Sequence, residues 1–238
     1  MLLWCGLERK RYGLAWAAAF LLPLTRGVGV FSVLPIAWHC LMHGQWSWLE
    51  RWRWLDAERE RLADDSGANH QVARWQACAL MAAPALGLAA CFALMWTWTG
   101  NPLEGIQAQR FWGVHSISNL FNVPKFVVGF FNPTQFHEFK GSVLDRCLFI
   151  LLLYTLPVIW KLGKDQMVWT YMLGILPAMS GTFTSFTRFE STAFPLFIAL
   201  AVFFANRKRK WPLWAFIILS AVLHGILLWR FVNFRWAG

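Results

Sequence analysis

The sequence predicts an all-α fold, a polytopic bundle of about seven transmembrane helical segments. Three observations carry that prediction. Of 238 residues, 58% are apolar and 14% charged, whereas a soluble domain carries about a quarter charged residues. A globule of this size still needs a polar surface, which such a composition cannot supply. The apolar residues fall in runs at 13–24, 27–43, 76–99, 145–160, 166–181, 191–205 and 211–229, and a full helical span takes about 20 residues. The basic residues of this chain of net charge +10 stand in short patches between the runs. There they encode orientation in a membrane and argue against nucleic-acid binding.

Taken in order, residues 13–43 read as a hairpin of two short helices with Arg26 at its tip. A signal peptide is the competing reading, since Arg9-Lys10-Arg11 precedes a short apolar stretch; no small-residue cleavage site follows. Residues 44–75 form the main cytoplasmic segment, where Trp48, Leu49, Trp52 and Leu55 recur at helical spacing among Arg51, Arg53, Glu58 and Arg59. That pattern fits a helix lying in the interface and equally a solvated connector. Asp64-Asp65-Ser66-Gly67 reads as a turn, and a span at 76–99 follows. Residues 100–144 make the large extracytoplasmic loop, and 145–238 a C-terminal helical bundle, the whole forming one membrane domain. Placing 1–12, 44–75, 161–165 and 206–210 inside puts 14 of the 22 Lys and Arg residues on the cytoplasmic side. Pro23, Pro157, Pro177 and Pro195 break or flank the runs, and broken helices at membrane depth need protein or a wet cavity around them. Ordinary kinked helices give the same pattern.

Candidate chemistry concentrates on the outer face. The 100–144 loop mixes Gln107, Gln109, Arg110, His115, Asn119, Asn122, Lys125, His137, Glu138 and Lys140 with Trp112 and a series of phenylalanines. Donors beside aromatic faces suit a sugar that both hydrogen-bonds and stacks, although a membrane-interface aromatic belt has the same composition. Arg26 and Arg188 both fall on the outer side in this topology. A guanidinium near membrane depth is costly and seeks an anion, and its planar fork matches phosphate oxygens. Pairing of Arg188 with Glu190 or with a helix end is the plainer alternative. His39 and His43 share a helix face without a third ligand, and Gly141 stands where a zinc-protease motif begun by His137-Glu138 needs its second histidine. The five cysteines form no CxxC pair, and His224 is isolated on an apolar helix. No metal and no cofactor is expected.

Several ordered segments resemble a known family. They are Leu24-Thr25-Arg26-Gly27-Val28-Gly29, the stretch from Gly100-Asn101-Pro102-Leu103 to Gln109-Arg110-Phe111-Trp112-Gly113, and Asp145-Arg146 opening a span. Pro177-Ala178-Met179-Ser180-Gly181 leading to Ser185-Phe186-Thr187-Arg188-Phe189, then Phe194-Pro195-Leu196-Phe197, complete the set. Together they resemble the PIG-V-like mannosyltransferases of the GT-C glycosyltransferase superfamily, whose eukaryotic members add the second mannose of the GPI anchor. The resemblance implies a polyprenyl-phosphate-linked mannose donor, a lipid or glycan acceptor and inverting transfer on the extracytoplasmic side. It implies that Arg26 and Arg188, with Gln109, Trp112 and Glu190, bind the lipid phosphate and sugar. In the family an acidic residue of the first extracytoplasmic loop is the base. The resemblance starts in the family's middle, so an N-terminally truncated GT-C-like bundle is expected, with the acidic loop on a missing part or a separate chain and no catalytic base assigned. The alternative function is a non-catalytic membrane subunit or carrier that binds lipid-linked sugar. The expected location is a bacterial inner membrane or the endoplasmic reticulum.

Overall fold

Each of the seven apolar runs contains helix in the computed structural model, the run at 191–205 only from Pro195; the structure describes residues 1–44, 72–108, 117–137, 142–184 and 186–235. No strand occurs among the described residues; the extended pairing is limited to two isolated bridges, Gly44 with Val72 and Gln135 with Ser142. Three helices are long and apolar enough to cross a membrane: Arg74–Thr99, Val143–Leu162 and Trp211–Val232. The stretches Tyr12–Thr25, Gly27–His43 and Pro195–Ala205 are apolar but shorter. The chain divides into two compact units, residues 1–110 and 111–238.

In unit 1, α1 (Leu2–Glu8) buries Leu3, Trp4 and Leu7, a helix the sequence reading left inside the amino-terminal loop. It is followed by α2 (Tyr12–Thr25), in which Pro23, inside the last turn, has no N–H to donate to Ala19 O. Leu22 O accepts both Thr25 Oγ1 (2.8 Å) and the Arg26 N–H (3.0 Å), and Arg26 turns extended, at φ −158°. A 3₁₀ turn, Gly27–Ser32, then leads into α3 (Val33–His43). Long α4 (Arg74–Thr99) packs on α2 and α3 through small residues, Ala77, Ala83 and Gly87 among them. A Cβ on Gly87 would run into the backbone carbonyl of Phe20, so glycine here sets how closely the two helices approach. Gly100 ends α4 in the left-handed region, its N–H on Trp96 O at 2.8 Å. Val72 N–H donates to His43 O at 2.7 Å, so α3 ends beside the start of α4 and the 44–75 segment leaves and returns at one end. Trp48, Leu49, Trp52 and Leu55 lie outside the described residues. Short α5 (Glu104–Ala108) closes the unit.

Unit 2 begins with α6 (Ile117–Leu120) and α7 (Val123–Phe131). Asn122 caps α7 by accepting the Lys125 N–H at 3.0 Å, and Pro124 occupies its first turn. The long apolar helix α8 (Val143–Leu162) is capped by Ser142, whose Oγ accepts the Asp145 N–H at 3.1 Å. The run at 166–181 is one composite element: α9 (Lys164–Thr170), a π turn at Tyr171–Ile175 and α10 (Leu176–Gly181). After α11 (Phe186–Glu190) come α12 (Pro195–Ala205) and α13 (Trp211–Val232). The core is aromatic: Phe149, Phe183 and Phe186 with Leu152, Ala178, Leu196 and Leu200, flanked by Phe126 and Phe130. No residue of α13 is buried, and the helix is long and apolar enough to cross a membrane.

Candidate functional site

Parts of three of the segments quoted above, Asp145-Arg146, Pro177–Gly181 and residues 186–189, lie on helices that pack together in unit 2. Phe183 stands at their centre. Its ring lies 5.0 Å from Phe126, 5.2 Å from Phe149 and 5.6 Å from Phe130, centroid to centroid. Both Thr182 (φ 51°) and Phe183 (φ 64°) are left-handed, a conformation side-chain-bearing residues adopt at a cost, and costliest for a bulky one. Burial of the Phe183 ring offsets that cost. Backbone strain held in place by packing concentrates at functional sites, and a π turn such as 171–175 has the same association.

Arg146 holds this arrangement together. Its Nε donates to Phe130 O at 2.8 Å, its Nη1 to Ser142 O at 2.5 Å and its Nη2 to Gly129 O. The guanidinium also lies over the Phe183 ring, 5.2 Å from the centroid. Gly129 and Phe130 end α7, where bare carbonyls concentrate negative charge and attract a cation. Buried to 6% exposure, Arg146 is thus a clamp between α7 and α8. The loop is tied in a second way: Asn119 Nδ2 donates to Ser180 O at 2.6 Å while its Oδ1 accepts Lys125 Nζ at 2.8 Å.

Beside the clamp sits a buried polar group. Asp145, 0% exposed, accepts the Thr187 N–H on Oδ1 at 3.0 Å. Glu190, 3% exposed, comes from the same five-residue helix as Thr187. Three apart on a helix, Thr187 and Glu190 share a face. Asp145 Oδ2, Thr187 Oγ1 and Glu190 Oε1 are buried without a hydrogen-bond partner. Burial, reinforced by Asp145 nearby, pushes the Glu190 carboxyl up to about 8. On the other side of Asp145, the Nδ1 of buried His137 meets Ser142 Oγ at 3.2 Å, and Arg230 Nη2 donates to His137 O at 2.6 Å.

The residues expected to bind the lipid phosphate and sugar are placed as follows. Arg26 is half-buried at the break after α2, in unit 1. Gly29 lets that break fold tightly: its N–H reaches Arg26 O at 2.7 Å, and a Cβ there would strike the Leu22 backbone. Arg188 is exposed on α11, in unit 2. Glu190 shares α11 with Arg188 but is buried, so the two side chains leave on different sides, as i and i+2 must. Gln109 and Trp112 lie outside the described residues. His39 and His43 stand side by side, rings 4.5 Å apart, and among the described residues no group of three or more His, Cys, Asp or Glu side chains could hold a metal ion. Sequence reasoning missed Arg146 as a clamp and the pairing of Asp145 with α11. Ser142-x-x-Asp145 is a capping pattern that marks the start of α8, but nothing along the chain signals a contact across 42 residues.

Compared with protein-family models, with curated proteins and with solved structures, the chain matches none.

Proposed function

We propose that this chain is the lipid-phosphate-binding, carboxyl-terminal part of a membrane glycosyltransferase, GT-C-like with about seven spans. Its donor is a polyprenyl-phosphate-linked sugar, mannose by the resemblance, and transfer takes place on the extracytoplasmic side. One observation carries the reading. The bond from Thr187 N–H to Asp145 Oδ1 joins two of the segments on which the resemblance rests. The short helix it anchors presents Arg188 outward while its other face is buried.

That arrangement suits the chemistry. Displacing a sugar from a polyprenyl phosphate leaves negative charge on the phosphate, which a guanidinium in fixed position stabilises. A flexible arginine would give up much of that gain in ordering. Held at its first turn by Asp145 and backed by the aromatic core, α11 delivers Arg188 preorganised. Arg26, half-buried, stands at a break that Gly29 keeps tight, so its backbone is likewise fixed. The exposed apolar side of α7, with Val123, Val127, Val128 and Phe131, offers a surface for lipid chains.

Binding of a short-chain polyprenyl phosphate to the purified chain in nanodiscs tests the proposal. Arg188→Ala should weaken binding about tenfold or more, the scale of a charge-assisted hydrogen bond. Lys208→Ala, in the patch assigned to the cytoplasmic side, should leave it unchanged. Equal binding by wild type and Arg188→Ala sinks the reading. Sugar transfer on addition of the amino-terminal part of a related enzyme, lost in Arg188→Ala, would establish the enzymatic form; binding without transfer would identify a carrier subunit.

A further inference from the structure

Two carboxyl groups, both almost completely buried, lie near each other where α11 packs on α8; Arg146 and His137 favour charge on Asp145, whereas no cation among the described residues does so for Glu190. The cation nearest in sequence, Arg146, is committed to the carbonyls of Phe130, Ser142 and Gly129. The π turn packed on α11 contributes one titratable side chain, the exposed Tyr171, and α10 contributes none. Among the described residues His137, whose Nδ1 meets Ser142 Oγ, is the remaining titratable neighbour of Asp145. Two like charges enclosed together cannot both persist in so poorly solvated a place.

We infer that Asp145 and Glu190 form a proton latch: the pair shares one proton, and that proton holds α11, with Arg188 on it, against the body of unit 2. The inference goes beyond sugar transfer and does not depend on it. Because the Thr187 N–H already donates to Asp145, negative charge is best accommodated there and the proton resides on Glu190. The two ends of α11 are then fastened differently, the first turn by a hydrogen bond to a carboxylate and the last by burial of a neutral acid. Loss of the proton places a second negative charge beside the first. Glu190 then leaves for solvent and draws the carboxyl end of α11 with it, so the position of Arg188 depends on pH.

The sign follows from the raised carboxyl of Glu190. In the folded chain Glu190 binds a proton up to about pH 8, whereas unfolded it releases it near 4.5. The folded form therefore takes up a proton between those values. Its contribution to stability is full below about 4.5 and is lost as pH rises to about 8.

Infrared titration of the full chain in nanodiscs reads the latch directly. A protonated-carboxyl stretch is expected at neutral pH, disappearing with a midpoint near 8 and missing in Glu190→Gln. In Asp145→Asn, where the like charge is gone, the band should remain and its midpoint should fall. Glu190→Gln mimics the latched form, so it should fold, and trypsin cleavage after Arg188 should lose the extra acceleration above pH 8 seen in wild type relative to cleavage elsewhere. No such band at neutral pH, a band indifferent to Glu190→Gln, or failure of Glu190→Gln to fold overturns the latch. Those results leave polyprenyl-phosphate binding untouched as a separate question, since that assay reads Arg188→Ala.

Discussion

In residues 1–110 the closest approaches are made where side chains are smallest, and in residues 111–238 the core is built from the largest. Unit 1 brings α2 against α4 at Gly87, with Ala15, Ala19, Ala77 and Ala83 fully buried. Unit 2 gathers four phenylalanines about Phe183 and binds them with Arg146. Small residues let helix backbones meet in a lipid environment that gives no hydrophobic reward for association. An aromatic cluster with a buried guanidinium instead needs every donor satisfied. The second design costs more to assemble, and it is the one that holds strained backbone and buried carboxyls in place. Candidate chemistry in the described residues accordingly gathers in unit 2, while unit 1 contributes Arg26 at a tight break.

Substitutions can break each design separately, with hydrogen exchange resolved by segment as the readout. The largest effect is expected from Phe183→Ala, which empties the centre of the cluster at a cost of about 3–5 kcal/mol. Protection should collapse over α7, α8 and α10, with unit 1 unaffected. Arg146→Met keeps the stem but strands three carbonyl acceptors, a loss of about 2–3 kcal/mol that should loosen α7 first. Gly87→Ala forces α2 away from α4 and should cost about 1–3 kcal/mol, confined to unit 1. If Gly87→Ala lowers protection in unit 2 as much as in unit 1, the two designs are not separable.

Much of the helical framework was legible in the sequence because continuous apolar runs, Pro and Gly carry local information. Gly100 after the run at 76–99 marks a left-handed stop, and Asn122 before Pro124 marks the start of α7. The π turn at 171–175 and the left-handed pair Thr182-Phe183 carry no such mark, because they are imposed by packing. Leu2–Glu8 went unnoticed since seven residues are too few to show a period. For the candidate site, arginine in an apolar setting drew attention to Arg26 and Arg188 by desolvation cost alone. Glu190 stood out only as a neighbour of Arg188, yet it is buried on the short helix that Thr187 joins to Asp145. Such pairing depends on how α11 folds back on α8, and that is a tertiary fact.

The smallest stability effect, and the sharpest for function, is expected at the exposed arginine. Arg188→Ala removes an exposed side chain, so its effect on unfolding should be smaller than that of any substitution above. Arg188→Lys keeps the charge but not the planar fork. If the residue works by bidentate contact with phosphate oxygens, Lys should recover only part of the affinity that Ala loses. If it works as a point charge, Lys should recover nearly all of it, and raising ionic strength should weaken wild type and Arg188→Lys alike. Titrating a polyprenyl phosphate against the three proteins at low and high salt separates these cases. Running Arg26→Ala and Arg26→Lys in parallel then carries the comparison between the units to its functional end. A loss at Arg188 alone would assign the anion site to the aromatic unit, whereas a loss at Arg26 alone would assign it to unit 1.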